Sequence, residues 1–432
     1  MNTSRAKRLP PHPRIVKECS EIEAADLRPP ALDTMPLHSA PKETPPTKDA
    51  KVNSKENSNP NTALDRREFL KRSALGVATA MCAFPAFADA RHADALAFLR
   101  EHFVADLHAH TALKTAFFRK RFYESHVAPP NTYPFTLRSD EPSLRDGGVN
   151  AVLSAIYVPE PQVARDAAAL SAIGALSPSI RRMKRTFESE GPDVAADIVN
   201  AFDAELRSST GAAPARSLAE LAQSTRHGKI HILHTLEGGH ALGSEFKRTH
   251  LDMLQILHAR GFCMITLAHF YDVGVAPNIQ GVPKTWYLKG LGCFREQWAS
   301  EHNENRLPPL GRYCVEVMTI LGMLADLTHM TPNARKDVYD IVGTRAPLVM
   351  SHVGCHDHAP FDMNPTPEEV RRIADTGGVI GVIFLNYFLK GKNRGKGIEA
   401  ILDTMQCLIN HGGEDCVGWG SDFDGFTNPP ND

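Results

Sequence analysis

Residues 321–354, LGMLADLTHMTPNARKDVYDIVGTRAPLVMSHVG, constrain the fold of this chain more tightly than any other stretch. Two apolar runs, residues 323–327 and 348–350, each pass into a small polar residue and then a histidine: Thr328-His329 and Ser351-His352. Between them, residues 332–341 have the pattern of one amphipathic helix. Thr331 is placed to cap it, Pro332 stands in its first turn, and Val338 and Ile341 supply part of an apolar face. Strand, helix and strand within about 30 residues make a βαβ unit, whose two strands run parallel. Both histidines then leave the carboxyl-terminal edge of one sheet, where parallel α/β folds carry their chemistry. Two such histidines in consecutive units predict a metal site.

The rest of the chain repeats the pattern. FVADLHAH (103–110) reads as a strand ending in His108 and His110, and residues 149–158 form a second after the turn signal Arg145-Asp146-Gly147-Gly148. A long helical region over 160–207, broken near Ser177-Pro178, leads to a strand at 230–236 that ends on Glu237-Gly238-Gly239. A helix at 245–259 precedes the strand 262–267, which ends Ala268-His269. Residues 270–310 form a loop long enough to serve as a lid or one wall of a site. Helices at 312–321, 366–375 and 397–410 and strands at 379–385 and 417–420 complete the series, followed by Ser421-Asp422-Phe423-Asp424-Gly425. Eight β-runs, seven followed by helical patterns, predict an α/β fold closed as a (β/α)8 TIM-type barrel. The span from 103 to 425 exceeds the roughly 250 residues typical of that fold, and the excess lies in loops. No eighth helix follows before Asp432, so the barrel is expected to lack its last helix. The flank left uncovered would favour a homodimer.

Composition narrows the partners. An apolar share of 42% is ample for a core, and a formal charge of −2 argues against nucleic acid. The eight cysteines form no C-x-x-C pair, so neither a thiolate zinc knuckle nor a thioredoxin-like dithiol is indicated. Cys263 and Cys416 flank predicted strands and are expected in the core. Residues 1–64, rich in Pro, Lys, Glu, Ser and Asn, have too few large apolar residues to offset their ordering entropy, and a disordered tail is expected. Residues 65–90 place Arg66-Arg67 ahead of SALGVATAMCAFPAFADA, with A-x-A sites at 86–88 and 88–90. This is the pattern of a twin-arginine export signal, too short and alanine-rich for a membrane span. The expected organisation is a tail (1–64), a signal (65–90) and a barrel domain (91–432) exported to the periplasm by the Tat machinery.

The polar residues at strand ends are His108, His110, Glu237, His269, His329, His352, Asp422 and Asp424. In a strand, i and i+2 share a side, so His108 and His110 can reach one ion together. Four imidazoles and one carboxylate suit Zn²⁺ and suffice for two ions, with Glu237 bridging. Two ions about 3.5–4 Å apart sharing a hydroxide supply a nucleophile at neutral pH. Asp422 would take the proton from that bridging water and deliver it to the leaving amine. Each piece has a plainer reading: an H-x-H by chance, Glu237 as a turn residue, His269 as a core histidine, Asp422 and Asp424 as turn caps. Six strand ends at one edge argue jointly against it.

HTLEGGHALG, the ITLAH strand, LGMLADLTHMT, APLVMSHVG, GGVIGVIFL and VGWGSDFDG resemble the membrane (renal) dipeptidase family of zinc hydrolases in the amidohydrolase superfamily, as does SDEPSLRDGGVNAVLSAIYVP. The resemblance spans residues 103–425. It implies a binuclear zinc site in which Glu237 bridges, His329 and His352 hold one ion and His108 helps hold the other. It further implies that His269 contacts the substrate or its tetrahedral intermediate, that Asp422 is the general acid/base, and that the substrate is a dipeptide or related amide. Two positions depart from the family pattern. His110 stands where the family has Asp, which replaces an anion by a neutral ligand and should lower the pKa of the bridging water. Met363, ahead of Asn364, stands where an arginine would grip the dipeptide carboxylate, and a missing guanidinium fork speaks against ordinary dipeptidase activity. Arg371 and Arg372 lie on the following helix, whose position faces them to solvent. Hydrolysis of a lactone, ester or N-acyl amino acid at the same site is the alternative activity, and a catalytically inactive barrel serving as a scaffold is the alternative class.

Overall fold

The structure is a computed structural model that describes residues 97–99, 101–126, 136–160, 191–225, 228–243, 248–279, 305–389 and 397–425, together with Ala95, Ser189 and Pro429. The expected tail and export signal, the helix break at Ser177-Pro178 and residues 280–304 of the loop expected at 270–310 lie outside these residues. No described helix is long and apolar enough to cross a membrane.

The opening βαβ unit forms as read. β6 (Leu324–Asp326) leads to a helix, Pro332–Val342, and on to β7 (Val349–Val353). Thr331 caps that helix by accepting from the Ala334 N–H at 3.3 Å, which satisfies one of the donors a helix start leaves free. The next helix, Pro367–Asp375, begins with a full capping box between Thr366 and Glu369. The helix before β6, Pro309–Leu321, stops at Gly322, whose φ of 74° only glycine adopts without strain.

The other strands are β1 (Ala105–Ala109), β2 (Ala151–Tyr157), β3 (Ala212–Pro214), β4 (Ile230–Glu237), β5 (Met264–Thr266), β8 (Val379–Val382) and β9 (Val417–Trp419). Every pairing between them is parallel, in the order β2-β1-β9-β8-β7-β6-β5-β4, and β2 also pairs with β4, which closes a ring of eight. The expected (β/α)8 barrel is therefore the fold. β3 was not anticipated. It pairs through Ala212–Pro214 with the first residues of β4, on the edge that β5 takes further along, so it adds to the barrel without entering the ring. Three residues ending in proline carry no alternation by which a sequence could announce a strand.

Register fixes what the barrel mouth presents. Tyr157 pairs with Glu237, Glu237 with Thr266, and Thr266 with Asp326, so four polar residues on neighbouring strands share one level. Between them along the strands, Val152, Ile156, Ile232, Leu236 and Ile265 alternate onto the opposite face of the sheet and are buried in the hydrophobic core. Cys416 is buried as expected, but Cys263 keeps partial exposure, because it lies at the solvent-side start of β5. Cys355 and Cys407 form a disulfide that ties the segment after β7 to the helix Ile398–Gly412, a pairing across 52 residues that the spacing did not suggest.

Candidate metal centre

Six strand ends deliver their side chains to one point. Glu237, the last residue of β4, is 1% exposed, and its carboxylate lies between two pairs of imidazoles. On one side His108 Nε2 is 3.5 Å from Oε1, His110 Nε2 is 3.3 Å from Oε2, and the two nitrogens are 3.2 Å apart. On the other, His329 Nε2 and His352 Nε2 stand 3.7 and 3.8 Å from Oε1 and 3.0 Å from each other. His269 Nε2 is 3.8 Å from the same oxygen. All five residues read as ligands are thus brought together, with His269 and Asp422 beside them. Asp422 Oδ1 is 3.1 Å from His110 Nε2 and 4.0 Å from His108 Nε2.

Backbone geometry aims two of these groups. His329 has φ 68° and Asp422 φ 56°, in the left-handed region that residues other than glycine adopt uncommonly. The turn after β9 is stitched to the end of β1, with Asp422 N donating to His108 O at 2.9 Å and His110 N donating to Phe423 O at 2.7 Å. A Cβ at Gly425 would run into the Asp422 carboxylate and the His110 ring, so glycine keeps this approach open. Asp424 does not face the cluster. It accepts from Lys114 Nζ, from the Arg138 and Ser139 N–H groups and from Ser139 Oγ, and so holds the 136–139 segment in place.

The donor set fits divalent metal. Glu237 Oε2, His110 Nδ1 and His329 Nδ1 are buried without a hydrogen-bond partner among the described residues, and several ring nitrogens point at one another rather than at donors. Burial, reinforced by the neighbouring imidazoles, holds His108, His329 and His352 well below the ordinary histidine range, in the neutral form that ligates. Burial also pushes Glu237 up, against the pull of His269 and His110. Among the described residues, the one such group away from this cluster, Cys355, Cys407 and His411, has its two sulfurs joined and offers no thiolate.

The surrounding shell was not legible in the sequence. Asp326 and Asp106 are buried carboxylates that repeat one device. Asp106 Oδ1 accepts from the His108 and Ser421 N–H groups and Oδ2 from Ser421 Oγ, so β1 is bound to β9. Asp326 accepts in the same way from Thr328, from Ser351 N and Ser351 Oγ, and also from Thr266 Oγ1. Burial pushes Asp106 up to about 6, opposed by the bonds from Ser421. Ser351 Oγ spends its only proton on Asp326 at 2.5 Å, so the 2.8 Å contact with His352 Nδ1 must be donated by the ring. That leaves the His352 Nε2 lone pair facing Glu237 and its neighbours. Ser351→Ala is therefore expected to weaken metal binding about 10–100-fold with little change in fold. Competition with a chromophoric chelator measures it, and an unchanged affinity would remove Ser351 from this role.

The family model described as membrane dipeptidase (peptidase family M19) matches residues 92–432. The chain belongs to the membrane dipeptidase family.

Within this family, the chain is similar to a metallopeptidase of Rhodobacter sphaeroides solved with a phosphinate mimic of the dipeptide L-Ala-D-Ala. Identity is 25% and the TM-score 0.55, over 76% of this chain and 87% of that one. The probable dipeptidase PvdM of Pseudomonas aeruginosa shares the fold, with a TM-score of 0.59 at 16% identity over 77% and 87% of the two chains. An uncharacterised dipeptidase of Schizosaccharomyces pombe is 28% identical over 212 residues, 49% of this chain and 45% of that protein. The aligned stretches span less than half the length of the curated relatives.

The two positions expected to depart from the family pattern, His110 and Met363, have well-defined surroundings. His110 occupies its place beside Glu237 and Asp422 as a full member of the cluster. Met363 is 1% exposed in the segment after β7, and the Asn364 amide pins that segment to Gly354 N, Ala359 O and Phe388 O. Arg371 and Arg372 are exposed, and Arg372 covers the Tyr339 ring on the barrel's outer face. Neither supplies a cation at the position of Met363.

Proposed function

We propose that this membrane dipeptidase homologue is a binuclear zinc hydrolase that cleaves a small peptide or amide bond. The observation that carries the reading is the placement of one buried carboxylate, Glu237, between two pairs of facing imidazole nitrogens, with Asp422 at its side. His108 and His110 would hold one ion, His329 and His352 the other, and Glu237 both. Zinc bound there supplies Lewis acidity, polarising the carbonyl and activating water at neutral pH.

The remaining work falls to the protein. Asp422 Oδ1 receives the proton of the attacking water and returns it to the leaving nitrogen, so that an amine rather than an amide anion departs. His269 Nε2 meets the oxygen on which charge develops, where a fixed donor lowers the barrier most. The Rhodobacter relative was solved with a tetrahedral dipeptide mimic, which supports a dipeptide-like substrate. Met363 favours a second reading, since a pocket without a guanidinium at that point holds a free carboxylate poorly. N-acyl amino acids, esters and lactones are then the competing substrates. The paired arginines and apolar run of residues 65–90 support export by the twin-arginine route to the periplasm.

The test is metal analysis of the purified chain followed by amine release from L,L- and L,D-dipeptides and N-acyl amino acids, with lactone opening in parallel. Two zinc equivalents and turnover on at least one amide are expected. A chain that takes up no metal, or is inert on every amide, would end the proposal.

A further inference from the structure

Glu160 is the one carboxylate beside the centre to which no role has been given. Sequence patterning placed it at the head of a helix, but it lies just beyond β2 in irregular chain with its side chain fully buried. Its Oε1 accepts from His269 Nδ1 at 3.0 Å and from Phe270 N at 2.9 Å, and its Oε2 accepts from Tyr157 Oη at 2.8 Å. Both oxygens are thus committed, and all three donors belong to the wall of the site. The Tyr157 ring lies 4.6 Å from the His269 ring and 6.0 Å from that of His110, so the tyrosine that orients Glu160 also packs on the histidine it serves.

We infer that Glu160 is a positioning residue that fixes the direction of His269, holding its Nδ1–H so that Nε2 faces the reacting centre. The physical reason is valence. An ionised carboxylate can only accept, so Glu160 takes the Nδ1–H, and a ring that also donates from Nε2 to the substrate oxygen carries both protons. With Glu160 on Nδ1, the proton there is held in place and the ring cannot turn to present Nδ1 inward. The bond from Phe270 N to the same oxygen locks the backbone that carries the ring. A buried carboxylate would not persist in this apolar wall unless its acceptors were filled, and His269, Phe270 and Tyr157 fill them.

This inference rests on the hydrolase reading for its kinetic test but has a readout that does not. Glu160→Gln keeps the shape and removes the obligatory acceptor, so Nδ1 can be faced by an amide N–H. It is expected to lower kcat about 10–100-fold, the range typical for loss of such an outer partner, with metal content unchanged. KM should move much less, because the interaction matters most where charge develops on the substrate oxygen. In a His269→Asn background the same change should add almost nothing, whereas a merely structural role would lower the rate again by the full factor. Tyr157→Phe, which spares the Glu160–His269 bond, should cost far less than Glu160→Gln. Independently of activity, 15N-histidine NMR of the metal-loaded protein should show His269 protonated at Nδ1 in the parent and altered in Glu160→Gln. A parent spectrum without the Nδ1 proton, or a full additional loss in the His269→Asn background, would overturn the inference. If the parent hydrolyses no amide at all, the hydrolase reading falls while the NMR result still decides the role of Glu160.

Discussion

Asp422→Asn is expected to lower kcat about 10²–10⁴-fold while the protein still folds and takes up metal. The size of this effect follows from where the described carboxylates beside the cluster lie. Asp422 is the carboxylate at the rim of the cluster, 8% exposed, whereas Glu237 is enclosed by imidazoles and Asp106, Asp326 and Glu160 are saturated with donors. The substitution is mild in every other respect. Asparagine tolerates the left-handed backbone that Asp422 adopts at φ 56°, and it preserves the volume beside His110 and Gly425. What it lacks is a carboxylate oxygen that can take up and release a proton. Initial rates of amine release, with metal analysis of the same preparation, make the measurement. Turnover equal to the parent's would show that some other group carries the proton, and loss of metal along with rate would recast Asp422 as a ligand.

Glu237→Gln should separate stability from function most sharply. In the metal-free protein Glu237 has one oxygen lacking a hydrogen bond, and burial pushes its carboxyl up even though the carboxylates around His110 and His269 hold those two rings above the ordinary histidine range. Such a group weakens the fold that contains it, and a neutral amide of the same shape relieves that penalty. The metal-free variant is therefore expected to melt at the parent's temperature or above it. Zinc should reverse the order. A ligand at 100 times its dissociation constant stabilises the folded state by about 2.7 kcal/mol, and the parent should gain at least that much in excess zinc. Without the bridging anion the variant should gain less than about 1 kcal/mol at the same zinc concentration. Thermal unfolding of both proteins with chelator and with zinc gives all four values. Equal zinc-induced shifts would mean that the carboxylate does not hold the metal.

These expectations depend on features that became visible at different levels. Strand ends were readable because the rules that produce them are local. A short apolar run followed by Thr-His, Ser-His or Glu-Gly-Gly marks where a strand leaves the core, and the i, i+2 pair His108 and His110 needs only the pleat to share a side. The cap at Thr331 was equally local, because a side chain and an N–H three residues later decide it. From these, the barrel and the membership of the cluster followed, since a ring of parallel strands brings all its carboxyl ends to one mouth.

Folding in three dimensions decided everything that depends on partners far apart in the chain. Ser421 joins Asp106 across 315 residues and Glu160 meets His269 across 109, and no periodicity encodes either pairing. Glu160 was misplaced onto a helix for that reason: its local context carries helical propensity, while its position is set by filling two acceptors inside a wall built from other strands. β3 and the Cys355–Cys407 bond escaped notice in the same way. Hydrophobic alternation and capping are written in neighbouring residues, so the sequence determines which segments become strands and which polar groups stand at their ends. Saturation of buried hydrogen-bonding groups is a condition on the closed barrel as a whole, and only the tertiary structure determines which residue meets it.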